Sequence, residues 1–162
     1  MDMASALVAI ISIAAFTLPF IYLSRVQSNK KKQILNLIKS KAAEQGLSLD
    51  QLDYWNQQYA IGLDQNKNAL IYLKKSDDSW KENIVNLSDY QKCNIQDGNK
   101  KNHGSLNNAN GVANLQLVLS SARPEIQEKR FEFFDRSESL NLNGEWQLID
   151  KWKTIVSDKL SA

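Results

Sequence analysis

The sequence predicts an α+β protein: an N-terminal transmembrane helix, then a mostly antiparallel bent sheet or partial barrel, closed by a C-terminal α-helix. Three observations carry this reading. Residues Ala4 to Leu23 contain no charged side chain. After Gly46 the apolar residues recur with a period of two, the signature of half-buried strands. Near the end, Trp146, Ile149, Trp152, Val156 and Leu160 return to steps of three and four, the spacing of one helical face.

The uncharged segment defines residues 1–24 as a membrane anchor. About 20 apolar residues at roughly 1.5 Å each match a hydrocarbon core of about 30 Å, and a helix satisfies its own backbone hydrogen bonds where lipid offers none. The hydroxyls of Ser5, Ser12 and Thr17 can bond back to the preceding turn, Pro19 lies near one end, and Tyr22 suits the interfacial aromatic belt. A cleaved signal peptide would begin with a basic region and end in a small-x-small site. This chain begins Met-Asp-Met and closes its apolar run with Phe-Ile-Tyr-Leu-Ser. Asp2 precedes the span, while Arg25, Lys30, Lys31 and Lys32 follow it. By the positive-inside rule the chain is a single-pass protein of the inner (cytoplasmic) membrane, N-terminus outside and C-terminal domain cytoplasmic.

Residues 25–46 read as a basic juxtamembrane helix. Ile34, Leu35, Leu37, Ile38 and Ala42 keep helical spacing, and Gly46 supplies a natural C′ residue. Residues 25–41 hold six basic groups and no acid, whereas 42–162 hold fourteen basic and seventeen acidic groups, so the formal charge of +2 conceals an asymmetry. Arg25, Lys30, Lys31, Lys32, Lys39 and Lys41 are thus expected contacts for anionic lipid headgroups, at roughly 1 kcal/mol per basic residue near the surface. The plainer account is that they only set topology. A mildly acidic domain beyond them excludes a general affinity for nucleic acid.

Residues 47–162 are one domain's worth of chain. Leu47 and Leu49 predict a short strand. Residues 59–63 (YAIGL) and 69–73 (ALIYL) predict a hairpin around the turn-rich connector Asp64 to Asn68. Further strands fall at Asn83 to Leu87 and Tyr90 to Gln96, with a bend at Ser88-Asp89. Residues 97–111 contain three glycines and five asparagines and predict a long mobile loop. Strand character returns at Val112 to Ser121 and at Lys129 to Asp135. The last helix is expected to be capped by Asn141 or Asn143 and to bury both Trp146 and Trp152, at about 2–3 kcal/mol each.

This order, a helix, six or seven strands and a closing helix with a core tryptophan, resembles the pleckstrin-homology-like (PH-like) arrangement. The strand from Tyr59 to Asp64, its partner Leu70 to Leu73, and Trp152 carry the comparison. The chain also resembles bacterial single-pass membrane proteins with a small cytoplasmic domain of this kind. The resemblance implies a binding module for phosphoinositides, peptides or proteins. Inositide-binding members carry a basic pattern between their first two strands; the connector taken to correspond, Asp64 to Asn68, offers Lys67 beside Asp64.

Residues with chemistry are sparse. His103 is the sole histidine and reads as a solvated loop residue. Cys93 is the sole cysteine, so no intramolecular disulfide forms, and its alternating apolar neighbours predict a buried small hydrophobe rather than a reactive thiol. No Cys-x-x-Cys, His-x-x-x-His, phosphate loop or dinucleotide fingerprint is present, so no metal or cofactor is expected. Asp77-Asp78 reads as a solvated turn. Loop 97–111 is either a binding loop or a tolerated insertion, and Trp55 and Trp80 are either partner anchors or strand-end core residues. The expected function is a membrane-anchored noncatalytic interaction or scaffold domain that binds a protein or peptide at the cytoplasmic membrane face. The competing functions are an accessory subunit packing through its anchor, where small residues such as Ala9 and Ser12 permit close helix approach, and an enzyme with an unrecognised site.

Overall fold

The structure, a computed structural model, describes residues 12–13, 17, 29–77, 79–98 and 112–160. All of the expected anchor except residues 12, 13 and 17, together with Arg25, His103 and most of loop 97–111, therefore lies outside the described residues. Ser12, Ile13 and Thr17 are helical, and the Thr17 hydroxyl donates to the Ile13 carbonyl at 2.9 Å, the back-bond expected of a hydroxyl in an apolar helix. Among the described residues no helix is long and apolar enough to cross a membrane.

The fold is α+β. Helix α1 covers residues 29–44. Four strands follow as an antiparallel meander: β1 (Gln51–Trp55), β2 (Tyr59–Asp64), β3 (Ala69–Ser76) and β4 (Ser79–Asn86). A 3-10 turn at Leu87–Asp89 leads into a second antiparallel sheet of β5 (Lys92–Asp97), β6 (Asn114–Ser120) and β7 (Lys129–Asp135). Helix α2 (Glu145–Leu160) ends the described chain and packs on the three-stranded sheet and the 3-10 turn. Among the described residues neither sheet closes into a barrel.

The main core lies between the inner faces of the two sheets and α2, around Tyr59, Leu70, Phe131, Phe133 and Trp152. A second cluster lies on the outer face of the first sheet, where Ile38 and Ala42 of α1 meet Ala60, Ile71 and Leu73. Strand β2 is consequently buried at every position. Its nearly continuous apolar run is what a strand covered on both sides requires. Gly62 belongs to this contact, because a Cβ there would come within 2.7 Å of a Leu49 methyl. Helix α1 is therefore docked on the sheet, and Lys41 donates to Glu82 of β4 at 2.7 Å.

Several expected elements shift. Leu47 and Leu49 are irregular, not a strand; both pack in the outer cluster while the Ser48 amide donates to Asp64. The first strand is Gln51–Trp55. The connector between the first two strands is accordingly 56–58, and Asp64 to Asn68 closes the second hairpin. Strand β4 begins at Ser79 rather than Asn83, because cross-strand pairing with β3 extends it past the polar residues that obscure its pattern. In β7 both Phe133 and Phe134 are buried, which strict alternation forbids; a register shift opposite Leu115/Gln116 makes this possible. The start of α2 is set by Gly144, whose carbonyl accepts from the Leu148 amide, and not by an asparagine side chain. Trp146 is 39% exposed whereas Trp152 is fully buried, so only one of the two tryptophans belongs to the core.

Candidate functional site

The meander places the β1–β2 and β3–β4 turns at the same end of the first sheet. The Gln58 carbonyl accepts from the Lys75 amide at 2.7 Å and locks the two hairpins together there. In the first turn both Asn56 (φ 49°) and Gln57 (φ 56°) are left-handed, and the Gln58 amide donates to the Trp55 carbonyl, as in a type I′ turn. Asn56 is held from the other side, donating its side-chain amide to the buried Glu145 at the start of α2 at 2.7 Å. Glu145 in turn accepts from the Asn143 amide. Asp77, with φ 53°, forms the tip of the neighbouring hairpin.

Between these turns and the connector after β7 lies an open cleft of about 820 Å³, rimmed by Gln57, Lys75, Asp77, Lys81 and Glu138. It adjoins two smaller cavities. One of about 230 Å³ lies against Tyr59 and Asp135; the other, about 280 Å³, lies between α1 and the outer face of the sheet beside Tyr54 and Trp80. Gln57 lines all three.

The floor of the cleft is a closed polar cluster. Lys74 bridges Glu132 at 2.5 Å and Glu138 at 3.0 Å, and its ammonium stands 5.5 Å from the centre of the Tyr59 ring. The Tyr59 hydroxyl contacts both carboxylates, at 2.7 Å to Glu132 and closer still to Glu138. Burial, reinforced by these two carboxylates, drives the Tyr59 hydroxyl far above the usual phenol range. Burial opposes charge on Lys74, but its hydrogen bonds to Glu132 and Glu138 outweigh that and raise its pKa. Asp135 is held below the ordinary carboxylate value by the Ser137 hydroxyl and amide. The rim is different. Lys75 and Lys81 have no carboxylate partner among the described residues. Lys81 also faces Lys74 directly across the strands, a like-charge pairing that Glu132 and Glu138 offset through their bridges to Lys74.

Of the residues expected to meet lipid, Lys30, Lys31, Lys32 and Lys39 are exposed on α1, and Lys41 is engaged by Glu82. None belongs to the cleft. Cys93 is 7% exposed and part of the main core; burial pushes its thiol up to about 12, against a smaller opposing effect of Lys153 and Ser157. Trp55 is buried, donating its indole N–H to the Phe133 carbonyl at 2.8 Å, and Trp80 packs partly buried against α1. Among the described residues no group of His, Cys, Asp and Glu is placed to hold a metal ion.

Sequence reasoning did not single out the 56–58 turn. Its signal was the polar triplet Asn-Gln-Gln between Tyr54-Trp55 and Tyr59, which only becomes a hairpin once β1 is recognised.

Neither a protein-family model, a curated protein nor a solved structure matches the chain. The functional reading therefore rests on the sequence and the geometry.

Proposed function

We propose that this protein is a membrane-anchored, noncatalytic interaction domain whose PH-like sheet binds an acidic protein or peptide segment at the cytoplasmic face of the inner membrane. The observation that carries the reading is the cleft of about 820 Å³ with Lys75 and Lys81 on its rim, neither of which has a carboxylate partner among the described residues. Such lysines beside a concave, amide-rich surface favour an anionic partner. Tyr59 and Lys74 on the floor are held in protonation states that suit binding better than proton transfer. Tyr59 keeps its proton and Lys74 its charge near neutral pH, so neither is poised as a general base.

The order of four strands, three strands and a closing helix supports the PH-like assignment. The uncharged run Ala4 to Leu23 and the cations after it support the anchor and its N-out orientation. The exposed Lys30, Lys31, Lys32 and Lys39 would draw the domain towards anionic headgroups. Tethering would also raise the effective concentration of the binding surface at the membrane.

The test compares the full chain with a Lys75→Glu/Lys81→Glu variant in native membranes, using photocrosslinking from position 57. The expected result is a partner adduct whose yield falls about tenfold in the variant, as for reversal of a charge-complementary contact, with an unchanged circular dichroism spectrum. Equal adduct yields would refute the cleft as the binding surface. Orientation is read with Lys92→Cys in a Cys93→Ala background, since Lys92 is exposed and the native thiol is not. Labelling of intact cells by an impermeant thiol reagent would reverse the proposed topology.

A further inference from the structure

The strand order ends at β4, and no backbone group of Ser79–Asn86 bonds to any element beyond the sheet among the described residues. Lys81, Glu82, Asn83 and Ile84 are all exposed, with Ile84 at 37%. Ser76 pairs with Ser79 across a two-residue connection, which makes them a hydrogen-bonded pair. The ladder then alternates, and the donation from the Leu87 amide to the Asn68 carbonyl at its far end agrees in phase. The backbone N–H and C=O of Trp80, Glu82 and Ile84 therefore point away from β3. Among the described residues they have no backbone partner, and they form a template along the edge strand.

Proteins commonly blunt such an edge with charge. Here the charges are placed against self-pairing. Two copies aligned antiparallel about Lys81 or about Glu82 would set like charges opposite each other. The two charges are otherwise unequal. Glu82 is neutralised by Lys41 of α1, whereas Lys81 has no carboxylate partner among the described residues and stands at the cleft end of the strand. The edge thus presents one lysine without a carboxylate partner among the described residues, between backbone groups that seek a strand.

We infer that the β4 edge receives an extended, acidic segment of the partner as an added antiparallel strand, with a carboxylate opposite Lys81. This rests on the proposed peptide-binding function and specifies how the partner is held. Because Trp80, Glu82 and Ile84 would make the hydrogen bonds, Lys81 would sit at a non-hydrogen-bonded pair, where facing side chains approach most closely. An antiparallel strand brings its C-terminal end to the start of β4, beside the cleft and Lys75. Apolar side chains opposite Trp80 and Ile84 would extend the outer face of the sheet. Backbone bonds supply affinity in this mode and the alternating side chains supply selectivity.

The test uses the full chain in detergent micelles and the blocked heptapeptide Val-Val-Thr-Thr-Glu-Val-Ser at millimolar concentration, with its Glu-to-Lys analogue. Amide exchange by NMR should slow at Trp80, Glu82 and Ile84, while Lys81 and Asn83, already bonded to β3, change little. Lys81→Glu should weaken the acidic peptide about tenfold and restore binding to the basic one. Glu82→Pro removes an outward N–H without removing a bond to β3, and edge strands tolerate proline; it should abolish binding of both peptides. Should that variant fail to fold, the charge exchange at position 81 decides alone. Peptide binding with shifts confined to residues 56–58 and 75, and no protection on β4, overturns the edge and leaves the cleft reading standing. Absence of binding by either peptide overturns the edge as well, while crosslinking from position 57 judges the cleft reading separately.

Discussion

The indole N–H of Trp152 donates to Asp53 Oδ2 at 2.8 Å, joining the closing helix to the first strand. Lys151 reaches the same oxygen at 2.6 Å, but its side chain is 52% exposed. An exposed ion pair contributes little, whereas a buried donor left without an acceptor costs about 1–3 kcal/mol. Asp53→Ala should therefore lower stability by that amount, and Asp53→Asn, which keeps a carbonyl acceptor, by clearly less. Lys151→Ala should change the midpoint of urea denaturation very little. Equal losses for Asp53→Ala and Lys151→Ala would show that the ion pair, not the indole, carries the contact.

The two tryptophans of α2 should differ sharply. Trp152→Ala removes a fully buried side chain and is expected to cost about 3–5 kcal/mol. Trp146→Ala, at a partly exposed position, should fall within about 0.5 kcal/mol of the parent. Denaturant titrations of the two variants check this directly.

Gln57 holds a left-handed conformation that a side chain disfavours by roughly 1–2 kcal/mol. Gln57→Gly should raise the thermal midpoint, because glycine adopts that conformation without the clash. It should also weaken partner crosslinking from a probe placed at Ser76 of the same cleft, since Gln57 lines all three cavities. A lower midpoint would mean that the side chain stabilises the turn more than its conformation strains it.

Asp64 is 2% exposed and accepts from the amides of Ser48 (2.7 Å), Lys67 (2.9 Å) and Asn66 (3.0 Å). The Ser48 bond first, then those of Lys67 and Asn66, lower its pKa below 3.8. A depressed folded pKa favours the native state fully above the unfolded value, and the advantage disappears as pH falls through the folded one. The stability gap between the parent and Asp64→Asn should therefore be constant from pH 7 to about 5 and shrink below pH 4. A gap that widens on acidification would contradict the assigned role.

Cys93, buried with its thiol near 12, should react with an aromatic disulfide reagent far more slowly in the folded protein than in 6 M guanidinium at pH 8. Comparable rates would place the thiol at the surface.

Much of the fold is legible in local pattern. Residues 129–135 read as a strand and form β7, and the 69–73 strand and the break at Ser88-Asp89 also stand where expected. Their alternation or turn chemistry is stated within a few residues. Strand β1 was not legible, because Leu52, Tyr54 and Trp55 break the period of two. Their burial comes from opposite sides: Leu52 and Tyr54 pack against the outer cluster, whereas Trp55 enters the main core. The cleft was missed for the same reason, since its first wall is the turn that follows β1.

The sequence by itself determined the classes of element, the terminal helix with its tryptophan stripe, the buried character of Cys93 and the segregation of positive charge before residue 42. These follow from periodicity and composition, which act over one or two turns of chain. Only the tertiary structure decided that α1 covers the sheet, that Trp146 is partly exposed while Trp152 is not, and that Lys81 stands on an edge strand with no carboxylate partner among the described residues. Each of those depends on which distant segment arrives opposite the residue, and burial and charge compensation are properties of the pair.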